Sequence, residues 1–564
     1  MNKQLIECVP NFSEGNNMAV IKQITNEAES VEGVRLIDVD PGKATNRTVV
    51  TLVGTPDEIV EAAFRAIKKA SELIDMSKHK GAHPRFGATD VCPLIPVANI
   101  SMEETIEYAH KLAGRVGEEL GIPVYCYEFA AREEKRKNLA NCRAGEYEGL
   151  NEKLSDPDWK PDFGPAEFNQ DVARSGATAI SARNFLVAYN VNLNTTSTRR
   201  ANAIAFDIRE KGRVKREGNK LTGKAIHDKN GNPVYEPGML KCVKGIGWYI
   251  KEYGIAQLSF NLTDITVTSV HQVFDAACER AGARGLRVTG SELVGVIPLK
   301  AMLDAGRHYL KKQKRSTGIS DEEIIKIAVK SLGLDELGPF DPKKKIIEYI
   351  LEEDSGEKLI DMNLKTFAYE TASESPAPGG GSISAYMGAL GVALGTMVAN
   401  LSAHKRGWDD RWEEFSNWAD KGKHYLDQLC LMVDEDTLAF NGIMNAFGLP
   451  RKTDTEKAAR EQAIQDATKY AIEVPLKVMK LCYESMEVMK AMAETGNPNS
   501  ASDAGVGAIA ARSGVLGAFL NIKTNSASCK DKDFVHQVLT LGKEIEQKAI
   551  QLEKEILEIV ESKI

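Results

Sequence analysis

Hydrophobic positions change their spacing twice along the chain. Over the first 180 residues, alternating or β-branched runs trade places with stretches of helical period. Leu5 to Val9, Val34 to Val39, Thr48 to Val53, Asp90 to Val97 and Pro123 to Tyr127 read as strands, and Met18 to Glu29, 57–76 and 101–120 as amphipathic helices. The order is β-α-β-β-α-β with additions. A second cycle follows, with strands at Asn184 to Leu193, Val243 to Tyr249, Ala256 to Leu262 and Leu286 to Pro298, and helices at 195–210, 267–282 and 299–313. The repeated split β-α-β order predicts two ferredoxin-like α+β subdomains with antiparallel or mixed sheets, 1–180 and 181–320. No Gly-x-Gly-x-x-Gly follows a strand, so a dinucleotide fold has no anchor. Residues 211–240, dense in Lys, Gly, Asn and Pro, read as a solvated excursion.

Strand signals stop near residue 320. Short polar helices at 321–332 and 343–354 flank Gly338-Pro339-Phe340-Asp341-Pro342, and 321–360 reads as a linker. From 361 to 564 long helical patterns take over, at 363–371, 382–401, 409–446, 454–492, 502–520 and 532–562, predicting an all-α helical bundle. The most apolar run, Ala385 to Leu401, is rich in Gly and Ala and shorter than a membrane span of about 20 residues, so it reads as a buried helix and no membrane partner is expected.

Composition refines this picture of a multidomain chain. Its 564 residues exceed one packed core, and 43% apolar with 27% charged residues fits a globular protein. Against 80 Asp plus Glu stand 72 Lys plus Arg, a net charge of −8 that argues against a nucleic-acid partner and leaves only local basic patches. The nine cysteines are scattered without a Cys-x-x-Cys pair, which predicts neither a disulfide framework nor a zinc knuckle and fits a reducing compartment. The N-terminal residues meet Glu7 and Pro10 before any long apolar stretch, so a cytoplasmic location is expected.

Four segments hold candidate chemistry. In Lys78-His79-Lys80-Gly81-Ala82-His83-Pro84-Arg85 the histidines are four apart, as helical zinc ligands can be, but Gly81 and Pro84 oppose a helix and no third ligand is near. Spacing alone favours a polar surface loop. The chemical alternative is a proton acceptor, because Lys78, Lys80 and Arg85 favour the neutral imidazole. Asp40 to Arg47, DPGKATNR, is either a solvated hairpin loop or a carboxylate-binding turn. Pro161-Asp162-Phe163-Gly164-Pro165 is either a connector or a pocket wall at a subdomain junction.

The fourth is Val433-Asp434-Glu435-Asp436. At 100° per residue Leu426, Leu429, Val433, Phe440, Ile443, Met444 and Phe447 share one stripe, and Asp436 falls inside it while Asp434 and Glu435 point away. A carboxylate on a buried face is either a satisfied structural group or an acid of raised pKa. The approaches Pro378-Gly379-Gly380-Gly381-Ser382 and Asn497 to Asp503 open helices. Their small residues suit either anion-facing N–H groups or close helix packing.

ECVPNFSEGNN (Glu7 to Asn17), DVDPGKATNRTV, IDMSKHKGAHPRFGATDVCP, RAGEYEGL (Arg143 to Leu150), PDFGP and GIGWY (Gly245 to Tyr249) resemble the formiminotransferase half of the formimidoyltransferase-cyclodeaminase family. PAPGGGS, VDEDTLAFN and the Ser502-Asp503 segment resemble its cyclodeaminase half, a domain also similar to methenyltetrahydrofolate cyclohydrolases. The resemblance spans nearly the whole chain. It implies transfer of a formimino group from N-formimino-glutamate to tetrahydrofolate, then ring closure to 5,10-methenyltetrahydrofolate with loss of ammonia. His83 matches the family's catalytic histidine. The family's folate segment carries over to Gly164, Pro165, Ala166, Glu167, Phe168, Asn169, Gln170, Asp171, Val172 and Ala173, with Asp40 and Arg47 as further contacts. The catalytic aspartate lies in VDEDTLAF, where helical phase selects Asp436 over Asp434. Gly379, Gly380, Gly381, Ser382, Lys405 and Asp503 are expected around that pocket by motif position. The resemblance further implies a ring of dimers, a polyglutamylated tetrahydrofolate co-substrate and no metal. The alternative function is a transferase whose helical half only binds folate or assembles. The excursion at 211–240 and the run His404-Lys405-Arg406-Gly407-Trp408 depart from the commoner family pattern.

Overall fold

The computed structural model describes residues 4–42, 46–81, 85–218, 223–251, 253–352 and 358–564. The chain divides into two compact units, residues 1–301 with 332–352, and residues 302–331 with 353–564.

The first unit holds two sheets built on one plan. In the first, Leu5–Cys8, Arg35–Gly42, Arg47–Gly54 and Thr89–Ala98 pair antiparallel in spatial order second, third, first, fourth. In the second, Val187–Leu193, Val243–Ile250, Ile255–Leu262 and Val288–Val294 take the same order, again antiparallel. Alternation does the work locally. Ile6 and Cys8 turn into a core shared with Ile59, Ala63 and Ile67 of the helix Pro56–Leu73, which starts with Pro56 at its first turn. Ser101 and Glu104 close a capping box on the helix Met102–Leu120.

The first sheet is extended by Thr178–Ala182 and Val124–Glu128, which run parallel to one another and to Thr89–Ala98. The strand Thr178–Ala182 is buried on both faces and its small residues carry no alternation, so the sequence pattern does not reveal it. The excursion at 211–240 is largely exposed, yet Arg213–Val214 pairs with Tyr235–Glu236 at its base.

In the second unit the helices Gly380–Ala403, Trp412–Gly448, Asp454–Thr495, Ala501–Ser526 and Lys532–Glu561 pack around one core that includes Val392, Leu429, Met479 and Ala511. Gly380–Ala403 and the segment Pro498–Ser526 are long and apolar enough to cross a membrane, but 61% and 50% of those windows are buried inside the fold. Glycine explains the tight fit: a Cβ on Gly391 would stand 2.6 Å from the carbonyl oxygen of Gly507.

The expected linker and subdomain boundary need correction. Residues 302–331 belong to the helical unit, and the helix Asp321–Leu332 is amphipathic, with Ile324, Ile325 and Ala328 buried. The turn before it is pinned. The Thr317 amide donates to Ser416 Oγ at 3.1 Å, its hydroxyl to Asp420 Oδ2 at 2.5 Å, and Asn400 Nδ2 to the Gly318 carbonyl at 2.8 Å. Lys423 bridges Asp321 and Asp427 at 2.9 and 2.5 Å. Residues 332–352 instead return to the first unit, where Ser291 Oγ donates to the Leu332 carbonyl and Ile297 pairs with Ile346.

Candidate functional sites

In the first unit, an open cleft of about 500 Å³ is lined by Lys80, Gly81, Arg85, Gly145, Glu146 and Glu148. Asn46 ties its sequence motifs together. Its Oδ1 accepts from the Gly15 amide at 3.0 Å and Asn16 Nδ2 at 2.8 Å, while its Nδ2 donates to the Lys80 carbonyl at 2.9 Å. Arg85 is the hub of the cleft. Its two terminal nitrogens grip Glu148 at 2.8 Å each, one also reaches Glu146 at 3.3 Å, and Nε donates to His79 Nδ1 at 3.3 Å. Because the guanidinium only donates, His79 Nδ1 accepts, and Nε2 donates to the Asn46 carbonyl at 3.0 Å. Both ring nitrogens are thereby engaged in hydrogen bonds among the described residues. Glu148 is held below the usual carboxylate range by Arg85.

Behind the cleft, buried Asp90 meets Arg143 at 2.9 Å and accepts from the Phe86 amide at 3.2 Å. Burial pushes its pKa up to about 6 against the opposing pull of Arg143 and Arg47. Arg47 thus belongs to a half-buried cluster with Asp90, Arg143 and Tyr127, and burial lowers its own pKa. Asp40 stands exposed in the neighbouring strand. His83 lies outside the described residues, in a segment whose flanks, Gly81 and Arg85, both line the cleft.

The segment 164–173 is mostly exposed and lines no part of the described cleft. One residue joins the two. The Tyr147 amide donates to the Arg85 carbonyl at 2.9 Å and its hydroxyl to the Ala173 carbonyl at 2.5 Å, and its ring lies 6.4 Å from that of Phe168. Upstream, Asp162 anchors the loop by accepting from the Cys126 amide at 2.8 Å and pairing with Arg136 at 2.7 Å.

In the helical unit, a cavity of about 140 Å³ is walled by Gly379, Gly380, Asp436, Phe440, Asn521 and Asn525 among others. Asp436 Oδ2 accepts from the Ser382 amide at 3.0 Å, at the start of the helix Gly380–Ala403, and lies 3.4 Å from Ser382 Oγ, which donates to the Val433 carbonyl at 2.8 Å. Gly381 leaves room for this approach, since a Cβ there would stand 2.0 Å from Asp436 Oδ1. Burial raises the Asp436 pKa, and the Ser382 hydrogen bonds oppose the rise.

The neighbouring acids point elsewhere. Asp434 Oδ1 accepts from the Leu359 amide at 2.7 Å, and Glu435 accepts from the Tyr470 hydroxyl. The apolar stripe read from helical phase is only partly buried: Leu429 and Val433 are in the core, whereas Phe440, Met444 and Phe447 are 42%, 54% and 51% exposed. Asp436 therefore sits at the mouth of a cavity, not inside a sealed core.

Lys405 and Asp503 are not brought to this pocket. Lys405 follows the far end of a 24-residue helix, roughly 36 Å from Gly380 at 1.5 Å per residue, and its ammonium lies 4.1 Å from the Trp408 ring centre. Asp503 occupies the first turn of Ala501–Ser526, whose opposite end carries Asn521 and Asn525. Those two asparagines were missed by sequence reading, although their spacing of four on one helix face was a usable signal. Arg143 and Tyr147 were missed as individuals inside a motif already noted.

Comparison with known proteins also divides the chain into a transferase part and a cyclodeaminase part, with residues 302–331 falling inside the transferase match. The family models match residues 5–183 (Formiminotransferase domain, N-terminal subdomain), 188–352 (Formiminotransferase domain) and 363–544 (Formiminotransferase-cyclodeaminase). The formimidoyltransferase-cyclodeaminase of Gallus gallus is 43% identical over 99% of this chain and 99% of its own length. The chain belongs to the formiminotransferase-cyclodeaminase family. Separate relatives also match each half of this family member. Glutamate formimidoyltransferase from Streptococcus pyogenes serotype M1 is 40% identical over 55% of this chain and 94% of its own. Methenyltetrahydrofolate cyclohydrolase from Methylorubrum extorquens is 37% identical over 36% of this chain and 97% of its own.

Proposed function

We propose that the chain performs two successive reactions of histidine degradation. The formimino group of N-formimino-L-glutamate passes to N5 of tetrahydrofolate, and the 5-formimino product closes to 5,10-methenyltetrahydrofolate with release of ammonia. The observation that carries this is a relative matching the chain end to end, with each compact unit of this chain holding its own acid–base site.

In the first step N5 attacks the amidine-like carbon and loses a proton, while the departing glutamate nitrogen gains one. A histidine serves both transfers in turn, and His83, in the segment between Gly81 and Arg85, takes that role. Lys80 on the lining offers a cation to the carboxylates of the donor, while Arg85 is already set against Glu146 and Glu148. Asp40, Arg47 and the segment 164–173, tied to the cleft by Tyr147, contact folate.

In the second step N10 attacks the carbon of the protonated formimino group. The N10 proton passes through Asp436 to the departing nitrogen, the carbon–nitrogen bond breaks with its electron pair on that nitrogen, and ammonia leaves. A carboxyl of raised pKa suits this relay. Gly379 to Ser382 frame the reacting end of the folate.

The two strand quartets of order second, third, first, fourth support ferredoxin-like subdomains for the transferase. Exposed apolar residues on adjacent helices, Leu390, Met397 and Leu401 beside Val506, Ile509 and Leu520, support self-association, for which a ring of dimers is the proposed form. A polyglutamylated tetrahydrofolate, no metal and a cytoplasmic location complete the reading.

The test supplies N-formimino-L-glutamate and tetrahydrofolate to the unaltered protein and follows methenyl absorbance and free ammonia. Both rise together if each site works. Accumulation of 5-formiminotetrahydrofolate that closes only at its uncatalysed rate would reduce the helical half to a folate-binding or assembly module. No consumption of formiminoglutamate would refute the transferase assignment.

A further inference from the structure

Resting on ring closure at Asp436, we infer that Asn521 and Asn525 form the subsite that receives the departing ammonia. They lie four residues apart, so their side chains leave one face of the helix Ala501–Ser526 a single turn apart, and both line the Asp436 cavity. Each amide nitrogen already uses one of its two N–H groups: Asn521 Nδ2 donates to the Gly517 carbonyl at 3.0 Å and Asn525 Nδ2 to the Ala471 carbonyl at 2.7 Å. Those bonds set the amide orientation and leave each Oδ1 as an acceptor. On the same wall, Thr437 Oγ1 is buried without a hydrogen-bond partner among the described residues. With the Asp436 carboxylate, the polar side chains of the cavity thus offer oxygen acceptors, and no cationic side chain lines it among the described residues.

Volume narrows the occupant. Pockets that enclose a whole drug-sized ligand run to roughly 300–1,000 Å³, and a water-sized molecule takes about 30 Å³. A cavity of about 140 Å³ suits the small end of a reaction rather than an entire folate. Ammonia carries three N–H donors, and ammonium four, which match oxygen acceptors converging from two elements. The formimino nitrogen becomes such a group only as its bond to carbon breaks, so these acceptors favour the departing state over the bound substrate.

The test measures inhibition of ring closure by ammonium chloride, with supplied 5-formiminotetrahydrofolate and tetramethylammonium chloride as the ionic-strength control. The full chain carries Asn521→Leu or Asn525→Leu, with Asn525→Asp restoring an acceptor. The far-ultraviolet helical signal and the thermal midpoint report that each variant is folded. The expected result is inhibition by ammonium but not tetramethylammonium in the unaltered protein, weakened at least tenfold in both Leu variants and regained with Asp. A purely structural role would lower turnover while leaving the inhibition constant where it was, and that result overturns the assignment. So does a failure of ammonium to inhibit more than its control in the unaltered protein. If the unaltered protein closes no ring at all, the ring-closure reading itself fails and this subsite goes with it.

Discussion

The two sites hold protons by opposite means. In the cleft of the first unit, Arg85 is committed to Glu146, Glu148 and His79, and the ring hydrogen of His79 is positioned by the Asn46 carbonyl. Charge is abundant there, with Arg85 set against both Glu146 and Glu148, in an open space of about 500 Å³. The helical cavity, at about 140 Å³, has one carboxyl, no cation on its described walls, and a pKa set upward by loss of water. A charged, open site tolerates redistribution among its partners. A desolvated one depends on where a single carboxyl group sits, so equal disturbances should weigh differently on the two reactions.

The sharpest way to break this contrast is a reciprocal pair of substitutions. Asp436→Asn should slow ring closure of supplied 5-formiminotetrahydrofolate about 10³-fold and leave formimino transfer intact, while His83→Ala should do the reverse. If either one stopped both reactions in a folded protein, the two-site scheme would be wrong. Next in size is Arg85→Gln. Loss of the hub should cost formimino transfer about 10²-fold through misplaced neighbours, and about 1–3 kcal/mol of stability, because the Arg85 side chain is only 10% exposed and His79 and Glu146 lose their donor. A thermal shift assay beside the kinetics separates the two effects.

Gly381→Ala tests the tight approach in the helical unit. The new methyl meets Asp436 Oδ1, so ring closure should fall about tenfold, with overpacking costing roughly 1–3 kcal/mol in that unit. Unchanged ring closure would mean that the Ser382–Asp436 contact is not needed. The smallest expected effect belongs to Ser382→Ala. The Ser382 hydroxyl lowers the Asp436 pKa, so its removal raises that pKa further. In the relay Asp436 starts as the carboxylate that takes the N10 proton, so the acid limb of the ring-closure pH profile should move upward. A downward move would contradict the sign of that hydrogen bond.

Much of the architecture was legible from residue spacing because the signals are local. Alternation located the strands of both quartets, and Pro and Gly breaks separated the long helices to within a few residues. What escaped was information stored in distant contacts. Thr178–Ala182 has no alternation because both of its faces are covered. The turn at Thr317 looks like an ordinary polar connector until Ser416 and Asp420 are seen to receive it, and with it residues 302–331 move into the helical unit. In the candidate sites the same division holds. Helical phase distinguished Asp436 from Asp434, and the structure gives Asp434 a different partner, the Leu359 amide. Motif position grouped Lys405 and Asp503 with Asp436, although they lie toward the other ends of their helices.

The sequence by itself determined the period of each element, the order of the two α+β cycles before the helices, and the direction in which Asp436 leaves its helix. Each of these depends on backbone geometry over a few residues, where 3.6-residue and two-residue periods are fixed by sterics. Only the tertiary structure decided which helix ends meet. Antiparallel packing brings Gly380, Asp436, Asn521 and Asn525 to one cavity and leaves Lys405 remote, because a long helix carries its two ends tens of ångströms apart whatever motif they share.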